Sequence, residues 1–539
     1  MTAPAAPSAP PHPEPGPAGP PRAARGVTAL LAPLDRLFER VYGSRFNPLL
    51  QSGNLAVLCF LVTLASGLYL FLFYRIAEPH ASVAHIQDEV FLGSWARSLH
   101  RYAADLAMAA TVLHLLRKLA AGQTWGPRTL AWISGLALLG VVMFCGWTGL
   151  VLVWDAQGLQ IADQGARLLD LLPIFSLPIR RAFDGVEPVP SSFFFMNLFL
   201  HVAAPLGLAA GLWLHVSQVA RPVLLPPRRV RRATLALLAL FAALWPVALA
   251  PAADLLALPG AMHLDLFYAF WLPAAKRLPP LALVGLWAAV LALAAAAPLY
   301  WRPRRPIRPS AVDEDLCTGC TTCYQDCPYE AIAMVPRTGG RQSSDLVARV
   351  DPQRCVGCGI CAGSCAPMGV GPAGRTGRDQ LAEARGWLLA QPPSGREVVV
   401  IGCRNAIAGR AAELDVAAAE LHLVGCAGSV HTSVVELLLR SGTGGVFLLS
   451  CPGRDCSFRE GPKWLAERLF HGREAELRER VDRRRVALGA FSPGELAAAR
   501  REIAALRGAV AALEARPESG VVVEPECAAT DQLVEVADA

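Results

Sequence analysis

Long apolar runs alternate with short polar segments between about residues 50 and 300. Most runs approach the roughly 20 residues that an α-helix needs to cross a hydrocarbon core of about 30 Å. The pattern therefore predicts an α-helical transmembrane bundle of about six spans. The predicted spans lie near residues 50–74, 95–119, 129–153, 192–219, 233–251 and 280–300.

The pattern changes in the last third of the chain. Over residues 396–515, short β-branched or apolar runs alternate with helical stretches. This alternation is typical of strands and helices that build a parallel sheet. A small α/β domain is predicted there, and residues 373–395 are predicted to be a linker that precedes it.

Both ends of the chain are predicted to be tails, at residues 1–25 and 516–539. The first is rich in proline and alanine and has almost no bulky apolar side chains. Such a segment cannot bury enough surface to offset its chain entropy, so disorder is predicted. It also lacks the apolar core of a signal peptide, which favours an N-terminus in the cytoplasm.

Lysine and arginine collect in four groups, which fall on one side of the membrane when six helices are threaded. The positive-inside rule makes that side cytoplasmic. We therefore predict a multi-pass protein of the inner (cytoplasmic) membrane, with everything after about residue 310 in the cytoplasm. Cysteines in that reducing compartment are more often metal ligands than disulfides. The basic groups lie within residues 22–45, 117–128, 221–232 and 302–308.

Two predicted spans each carry two histidines, which are costly to place in hydrocarbon. His100 and His114 are 14 residues apart, as are His201 and His215. Fourteen residues are nearly four turns, so each pair lies on one helix face, about 21 Å apart along the axis. A lone membrane histidine is ordinarily hydrogen-bonded to a neighbouring helix. Two helices with matched spacing can instead present two facing couples.

Two bis-histidine haems fit this arrangement, because axial ligation needs one imidazole nitrogen on each side of the iron. Both helices run from outside to inside in the predicted threading. His100 and His201 are therefore predicted to hold an outer haem, and His114 and His215 an inner haem.

Glycines in two other spans repeat the same interval. Gly53 and Gly67 are 14 residues apart, as are Gly135 and Gly149. Glycine leaves room where a porphyrin edge packs between helices. Small residues also mediate ordinary helix packing, but the same interval in four successive helices favours haem.

These features resemble the N-terminal four-helix, di-haem half of cytochrome b from the cytochrome bc complexes. The resemblance covers about residues 45–220 and includes an arginine three residues before the first histidine, Arg97 in "WARSLH". It implies a cytochrome b-like domain over residues 26–220, two b-type haems with Arg97 packed beside them, and a quinone site near one or both.

Residues 221–305, with two further predicted spans, look like a degenerate counterpart of that family's C-terminal half. The family's Pro-Glu-Trp-Tyr quinol loop is missing, and the nearest acids and bases are Asp155, His263 and Asp265. This departure disfavours an outer quinol site of the bc type. Asp105, four residues after Arg101, is predicted to form an ion pair on the helix face rather than a proton relay.

Two cysteine motifs follow the membrane region, "CTGCTTCYQDCP" and "CVGCGICAGSC". Their two-two-three spacing is the one that wraps a cubane cluster, with the fourth cysteine of each motif ligating the other cluster. Zinc is the alternative for any cysteine quartet, and the tandem spacing disfavours it. Residues 306–372 are therefore predicted to form an α+β domain of the bacterial ferredoxin type with two [4Fe-4S] clusters. The predicted ligands are Cys317, Cys320, Cys323 and Cys365 for one cluster, and Cys355, Cys358, Cys361 and Cys327 for the other.

Three predicted strands of the α/β domain end in a cysteine, in "VVVIGC", "LHLVGC" and "VFLLSC". The C-terminal ends of parallel strands meet at the sheet edge where ligand sites form. A single buried cysteine there is often only a small apolar side chain, but a fourth follows in "CPGRDC". The set favours a cluster, most simply [2Fe-2S], bound by Cys403, Cys426, Cys451 and Cys456.

This segment resembles the delta subunit of methyl-viologen-reducing hydrogenase, the iron-sulfur protein that couples hydrogenase to heterodisulfide reductase. The resemblance rests on the strand-end cysteines and the "CPGRDC" loop. The family commonly has a second cysteine soon after the first, whereas this chain has Ala406 in "CRNA". Four candidate ligands remain.

Together these centres predict a membrane electron-transfer subunit of a respiratory chain, exchanging electrons between the quinone pool and a soluble cytoplasmic oxidoreductase. By resemblance, that partner is hydrogenase-, heterodisulfide-reductase- or formate-dehydrogenase-like. One alternative is a membrane anchor or docking module for a soluble redox complex, without its own quinone site. A bc-like quinol:acceptor enzyme is another. No nucleic acid partner is expected, and the pattern singles out no catalytic residue.

Overall fold

The computed structural model divides into two compact units, residues 51–302 and a unit that joins the first 50 residues to the chain after residue 302. Residues 1–21 and 516–539, which hold most of the two predicted tails, lie outside the described residues, as does His263. The structure describes residues 22–173, 177–183, 189–217, 221–256, 265–300, 308–339, 342, 344–453 and 456–515.

Helix α1 (Arg22–Phe46) precedes the membrane region and belongs to the second unit. The unit of residues 51–302 is built from helices. In chain order they are α2 (Ser52–Phe71), α3 (Pro79–Asp88), α4 (Gly93–Ala120), α5 (Thr129–Val153), α6 (Ala156–Leu169), α7 (Ser191–Ser217), α8 (Arg228–Leu244), α9 (Leu272–Arg277), α10 (Pro280–Ala295) and α11 (Ala297–Tyr300).

Two helix pairs position the histidines. Helix α2 packs along α4, and α5 packs along α7. Small side chains let the first pair approach closely, since Cys59 of α2 and Ala103 of α4 are fully buried in one cluster. Helix α4 carries His100 and His114, and α7 carries His201 and His215.

Among the described residues, three helices are long and apolar enough to cross a membrane by length and composition. They correspond to the first, third and fourth predicted spans. Helix α4 covers the second predicted span with 28 residues but carries more charge. Helices α8 and α10, in the last two predicted spans, have 17 and 16 residues. The count of six spans stays a prediction. The three long apolar helices are Pro48–Phe71, Thr129–Val153 and Ser191–Ser217.

Helix α8 ends at Leu244, earlier than the predicted span at 233–251. Pro246 follows two residues later. Proline has no N–H to donate and disfavours helical geometry in the residue before it. Trp245 accordingly leaves the helical conformation, with φ −129° and ψ 72°.

Helix α6 lies between the third and fourth predicted spans and was not predicted. Asp155 caps its N-terminus, because the Asp155 carboxylate accepts the Gly158 N–H at 2.8 Å. One face of α6 is buried, with Ile161 and Ala162 packed in a cluster that contains Trp271.

Residues 308–372 form the α+β arrangement that the cysteine motifs predicted. Two antiparallel strand pairs and two short helices make it up. The strand pairs are β1 (Ser310–Val312) with β4 (Val370–Pro372) and β2 (Ile332–Pro336) with β3 (Leu346–Val350), and the helices are α12 (Thr322–Gln325) and α13 (Ile360–Gly363).

The segment 373–395, predicted to be a linker, contains helix α14 (Gly377–Ala390). Thr376 and Asp379 form a capping box: the Thr376 hydroxyl accepts the Asp379 N–H at 3.3 Å, and the Asp379 carboxylate accepts the Thr376 N–H at 2.8 Å. Trp387 packs against the core of the following domain. The segment is therefore a packed element rather than a spacer.

Residues 398–515 form the predicted parallel sheet, with strand order β6-β5-β7-β8. The two central strands are buried along their whole length, which explains their continuous apolar runs. The strands are β5 (Val398–Cys403), β6 (Leu421–Val424), β7 (Gly445–Ser450) and β8 (Val486–Ala490), and the helices are α15 (Arg404–Ile407), α16 (Thr432–Arg440), α17 (Gly461–Phe470) and α18 (Leu496–Ala515).

Candidate functional site

His100 on α4 and His201 on α7 face each other. Their ring centres are 6.3 Å apart, and the ring planes are inclined by 63°. Two imidazole nitrogens that each lie about 2 Å from one metal ion leave their ring centres about 6 Å apart. The spacing of this pair therefore fits a shared axial iron.

The far nitrogen of the His100 ring is bound to helix α2. With its proton on Nδ1, His100 donates to the Thr63 carbonyl at 3.0 Å and to the Ser66 hydroxyl at 3.2 Å. A histidine that binds metal commonly donates its other N–H to such an acceptor, which fixes the ring and raises its basicity. Nε2 of His100 is left for a ligand.

The same arrangement recurs between α7 and α5. The Nδ1–H of His201 donates to the Cys145 carbonyl at 3.1 Å and to the Thr148 hydroxyl at 3.0 Å. His215 donates its Nδ1–H to the Ser134 hydroxyl at 2.9 Å. The neighbouring helix thus orients each of these rings.

Each of the four singled-out glycines lies against a histidine ring. The sequence predicted that they leave room for a porphyrin edge, and the structure shows that they also leave room for the imidazoles. A side chain here would collide with the ring. Measured from an added Cβ to Cε1, the distances are 2.8 Å for Gly53 and His114, 2.9 Å for Gly67 and His100, 3.3 Å for Gly135 and His215, and 2.9 Å for Gly149 and His201.

A serine or threonine precedes each of these glycines. The histidine and glycine spacings did not predict these residues. Ser66, Ser134 and Thr148 bind histidine rings as described. Ser52, which precedes Gly53, is buried. The repeated Ser/Thr-Gly pair is visible in the sequence and marks where an imidazole contacts the neighbouring helix.

Arg97, implicated beside the haems by resemblance, is held within the helical unit. Its Nε–H donates to the Gln87 side chain at 2.7 Å, and its terminal N–H group donates to the Val247 carbonyl. These bonds tie the start of α4 to α3 and to the chain that follows α8.

The predicted ion pair between Arg101 and Asp105 is confirmed, with 3.1 Å between Arg101 Nε and Asp105 Oδ2. Arg101 also pairs with Asp265. Asp265 Oδ1 accepts the N–H of Tyr268 at 2.6 Å, so Asp265 organises the turn that it begins.

One cavity of the second unit is lined by cysteines of both motifs. Within the described residues, no group of three or more His, Cys, Asp or Glu is close enough to hold a single metal ion. The thiols line a shared space instead, with apolar side chains around them. The lining cysteines are Cys317, Cys320, Cys323 and Cys365.

The remaining cysteines of the two motifs form a second group. The buried thiols of Cys358 and Cys361 both interact electrostatically with Cys327 and Cys355. The Ser310 N–H donates to the Cys355 sulfur at 3.4 Å. Burial raises the pKa of the Cys358 thiol to about 12, so a thiolate here needs a positive centre beside it.

Four cysteines meet at the C-terminal edge of the parallel sheet. Cys403 ends β5, Cys426 follows β6 by two residues, and Cys451 follows β7 directly. The sulfur atoms of Cys403 and Cys451 are 3.4 Å apart. Cys456 interacts electrostatically with Cys426 and Cys451.

These thiols perturb one another's protonation. A hydrogen bond from the Cys451 thiol, with help from the N–H groups of Asn405 and Ala406, lowers the pKa of Cys403 to about 6. The same bond raises the pKa of Cys451. Burial raises the pKa of Cys426, with the Cys456 charge adding to it. Ala406 thus contributes its backbone to this site although it lacks a thiol.

The strand-edge cysteines lie beside the second motif group. Cys426, Ile360 and Trp464 form one buried cluster, against which Cys358 packs. His431, only 2% exposed, donates its Nε2–H to the Cys365 carbonyl at 3.1 Å. The two cysteine regions are therefore neighbours within one unit.

Three family models match the chain in succession. Residues 39–221 match Cytochrome b/b6/petB, residues 316–369 match the 4Fe-4S dicluster domain, and residues 398–514 match the methyl-viologen-reducing hydrogenase delta subunit. None of these three models spans the whole chain.

Individual proteins are similar to parts of the chain. The cytochrome b subunit of menaquinol:cytochrome c reductase from Geobacillus thermodenitrificans is 29% identical over 171 residues, which are 30% of this chain and 76% of that protein. Cytochrome b6 from Mastigocladus laminosus is 31% identical over 139 residues, which are 25% of this chain and 65% of that protein. A solved chain of a hyperthermophilic respiratory complex III aligns at 21% identity with a TM-score of 0.38, covering 46% of this chain and 74% of that one.

The chain thus carries a cytochrome b region, a 4Fe-4S dicluster region and a hydrogenase delta-subunit region, in that order. Cytochrome b implies haem b, a membrane and association with quinone. The dicluster region implies [4Fe-4S] clusters, and the delta-subunit region implies a soluble redox partner. The chain is a membrane electron-transfer subunit.

Proposed function

We propose that this chain passes electrons between the quinone pool and a soluble cytoplasmic oxidoreductase through two b haems, two [4Fe-4S] clusters and one [2Fe-2S] cluster. These groups supply the redox chemistry when bound. The protein supplies ligands and the surroundings that set reduction potentials. We assign the partner to the hydrogenase-, heterodisulfide-reductase- or formate-dehydrogenase-like class.

The observation that carries this proposal is the facing pair His100 and His201. Their ring centres are 6.3 Å apart, and each Nδ1–H is taken by an acceptor on the neighbouring helix. Both rings are therefore oriented as axial ligands are. We assign the inner haem to His114 and His215, because they repeat the spacing and the glycine contacts.

The cysteine groups support the cluster assignment. Cysteines of both motifs line one cavity, as the crossed ligation of a two-cluster ferredoxin requires. The strand-edge group offers four thiols, and the pKa values of three of them, Cys403, Cys426 and Cys451, are strongly perturbed, which is typical of functional sites. We assign the [4Fe-4S] clusters to Cys317, Cys320, Cys323 and Cys365 and to Cys355, Cys358, Cys361 and Cys327, and the [2Fe-2S] cluster to Cys403, Cys426, Cys451 and Cys456.

The proposal is tested on the full chain purified from membranes. We expect a bis-histidine b-haem spectrum, about ten non-haem irons and about ten acid-labile sulfides per chain, from two cubanes and one two-iron cluster. The His114→Ala variant should lose one haem and keep its sulfide, whereas the control variant His422→Ala, at a surface histidine paired with Glu383, should keep both haems. A colourless chain, or one without acid-labile sulfide, would overturn the proposal.

Reduction by quinol analogues separates the proposed role from a docking module. Menaquinol or ubiquinol analogues should reduce the haems of the purified chain. If the haems are present and no quinol analogue reduces them, the quinone role is wrong and the docking alternative stands. Copurification of an external Rieske protein or cytochrome would instead favour a bc-like enzyme.

A further inference from the structure

The two cysteine regions of the second unit meet along a closely packed seam, formed by helix α13 and the turn at Ala427–Ser429. A Cβ on Gly363 would lie 2.9 Å from the Gly428 carbonyl oxygen and 3.0 Å from that of Val430. A Cβ on Gly359 would lie 3.0 Å from the Ser429 Cβ. The backbones therefore approach as closely as glycine allows.

A completely buried arginine lies in this seam. Arg468, near the end of α17, is 0% exposed. One terminal N–H group donates to the Ser364 hydroxyl at 2.8 Å, and the other donates to the Gly428 carbonyl at 2.7 Å. Ser364 lies between the ligand candidates Cys361 and Cys365, and Gly428 lies two residues after Cys426.

The charges around Arg468 do not cancel. Asp326, also 0% exposed, is 4.0 Å from Arg468 and 2.7 Å from Arg473. Two arginines therefore share one carboxylate, and one positive charge is left over. Neither Arg468 Nε nor Asp326 Oδ2 has a hydrogen-bond partner among the described residues.

The thiols of Cys426 and Cys361 also face Arg468 electrostatically, as does the buried imidazole of His431. Burial lowers the pKa of Arg468 to about 10, opposed by Asp326, so the guanidinium keeps its charge at neutral pH. A buried cation acts strongly on its neighbours, because little solvent screens it. Adding an electron to a cluster adds negative charge, which this cation stabilises.

We propose that Arg468 is a positioning residue that sets the reduction potentials of two neighbouring clusters, the one at Cys403, Cys426, Cys451 and Cys456 and the one at Cys355, Cys358, Cys361 and Cys327. It does so by holding one uncompensated positive charge between them. This inference rests on the cluster assignments of the proposed function. It also makes these two clusters neighbours in the proposed electron path.

The test is an EPR-monitored redox titration of the full chain with four variants. Arg468→Gln removes the charge and keeps a hydrogen-bonding side chain. Arg468→Lys keeps the charge, and Asp326→Asn removes the opposing charge at nearly constant shape. Arg480→Gln is the control, because Arg480 is a 63% exposed arginine paired with Glu436 in the same domain.

Arg468→Gln should make one-electron reduction of the two clusters about tenfold less favourable, a fall of about 59 mV in midpoint potential. Asp326→Asn should shift both potentials upward, and Arg468→Lys and Arg480→Gln should leave them near those of the unmodified chain. If Arg468→Gln fails to fold, the upward shift in Asp326→Asn together with unchanged potentials in Arg468→Lys supports the inference.

An unchanged or lowered potential in Asp326→Asn would overturn the inference, as would equal shifts in Arg468→Gln and Arg468→Lys, which indicate a purely structural role. These outcomes leave the proposed function intact if the unmodified chain shows its cluster signals. Absence of cluster signals in the unmodified chain would overturn the proposed function, and the inference with it.

Discussion

At the scale of single residues, hydrogen bonds to the neighbouring helix fix the rings of the candidate haem ligands His100, His201 and His215. Each imidazole with a described Nδ1 hydrogen bond takes its acceptor from the neighbouring helix, and a glycine beside it leaves the space for the ring. A membrane interior offers no water to orient an unbound N–H. The neighbouring helix therefore fixes both the tautomer and the direction of the ring, which tunes any metal bound at Nε2.

The hydroxyl groups provide a paired test of this arrangement. Ser66→Ala removes one acceptor of His100, and Ser134→Ala removes one acceptor of His215. Each change should loosen one ring, weaken binding of one haem by about tenfold or more, and leave the other haem unaffected. A potentiometric titration of the two haems checks this, with each variant as the control for the other. If both variants alter the same haem, the assignment of His100 and His215 to different haems is wrong.

The glycines provide a steric test. In Gly149→Ala the new Cβ would lie 2.9 Å from His201 Cε1, and relieving such a contact in a packed interior costs about 1–3 kcal/mol. We expect lower occupancy or an altered spectrum of the outer haem. Gly140→Ala, on the same helix, is the matched control, because nothing lies within 4 Å of its Cβ position. Equal haem content in both variants would contradict the proposed role of Gly149.

These residues differ in how far the sequence could predict them. The histidine and glycine spacings are local and periodic, so they were found without a structure. The hydroxyl residues that precede the four glycines are also local, but they were not predicted, because both serine and threonine occur among them and no single residue type marks all four positions. Arg468 could not be found in this way. It follows "WLAE" on a short amphipathic helix and looks like a surface residue, and only packing against a distant segment buries it.

At the scale of elements, the helices and strands that follow one dominant local pattern are those that the sequence predicted. The buried strands β5 and β7 are continuous apolar runs, and a cysteine lies at each of their ends. Helix α14 was not predicted, because its polar composition resembles that of a linker. The signal in the sequence that marks it as a helix is its capping box. Helix α6 was hidden between two strongly apolar spans. Its identity depends on one buried face that packs against residues more than 100 positions later.

We predict that the seam between α13 and the turn at Ala427–Ser429 depends on the absence of a side chain at Gly363. In Gly363→Ala the new Cβ would approach the Gly428 carbonyl oxygen to 2.9 Å and Arg468 Nη2 to 2.7 Å. The backbone must shift, at a cost of about 1–3 kcal/mol. Hydrogen–deuterium exchange should become faster around residues 426–431 than in the unmodified chain.

The matched control for the seam is Gly386→Ala on α14, where nothing lies within 4 Å of the added Cβ. Alanine favours helix over glycine by about 1 kcal/mol, so exchange in α14 should slow. Unchanged protection at residues 426–431 in Gly363→Ala would show that the two regions do not depend on this close approach.

At the scale of the whole molecule, the candidate ligands of the redox centres divide between two units that differ in their surroundings. Residues 51–302 provide the histidines, and the unit with the C-terminal chain provides the cysteines. The thiols at the C-terminal edge of the parallel sheet lie where ligand sites form, whereas the histidines lie between apolar helices of the length that crosses a membrane. For the chain to exchange electrons with a soluble partner, the cysteine unit must face the compartment that contains this partner.

We predict the orientation of the chain in the membrane from its charges, and this prediction can be tested directly. The connection between α4 and α5 is flanked by Arg117, Lys118 and Arg128, whereas the segment between α2 and α4 includes Glu78, Asp88 and Glu89 and a single arginine. Because basic residues remain on the cytoplasmic side, we predict that α4 ends inside and α2 ends outside. An even number of crossings after α4 then leaves the cysteine unit inside.

An epitope tag after Ala539 should be cleaved by protease in inverted vesicles and protected in spheroplasts, and a control tag inserted at Glu78 should show the reverse. Cleavage of the C-terminal tag in intact spheroplasts would place the clusters outside, where a cytoplasmic oxidoreductase could not reach them.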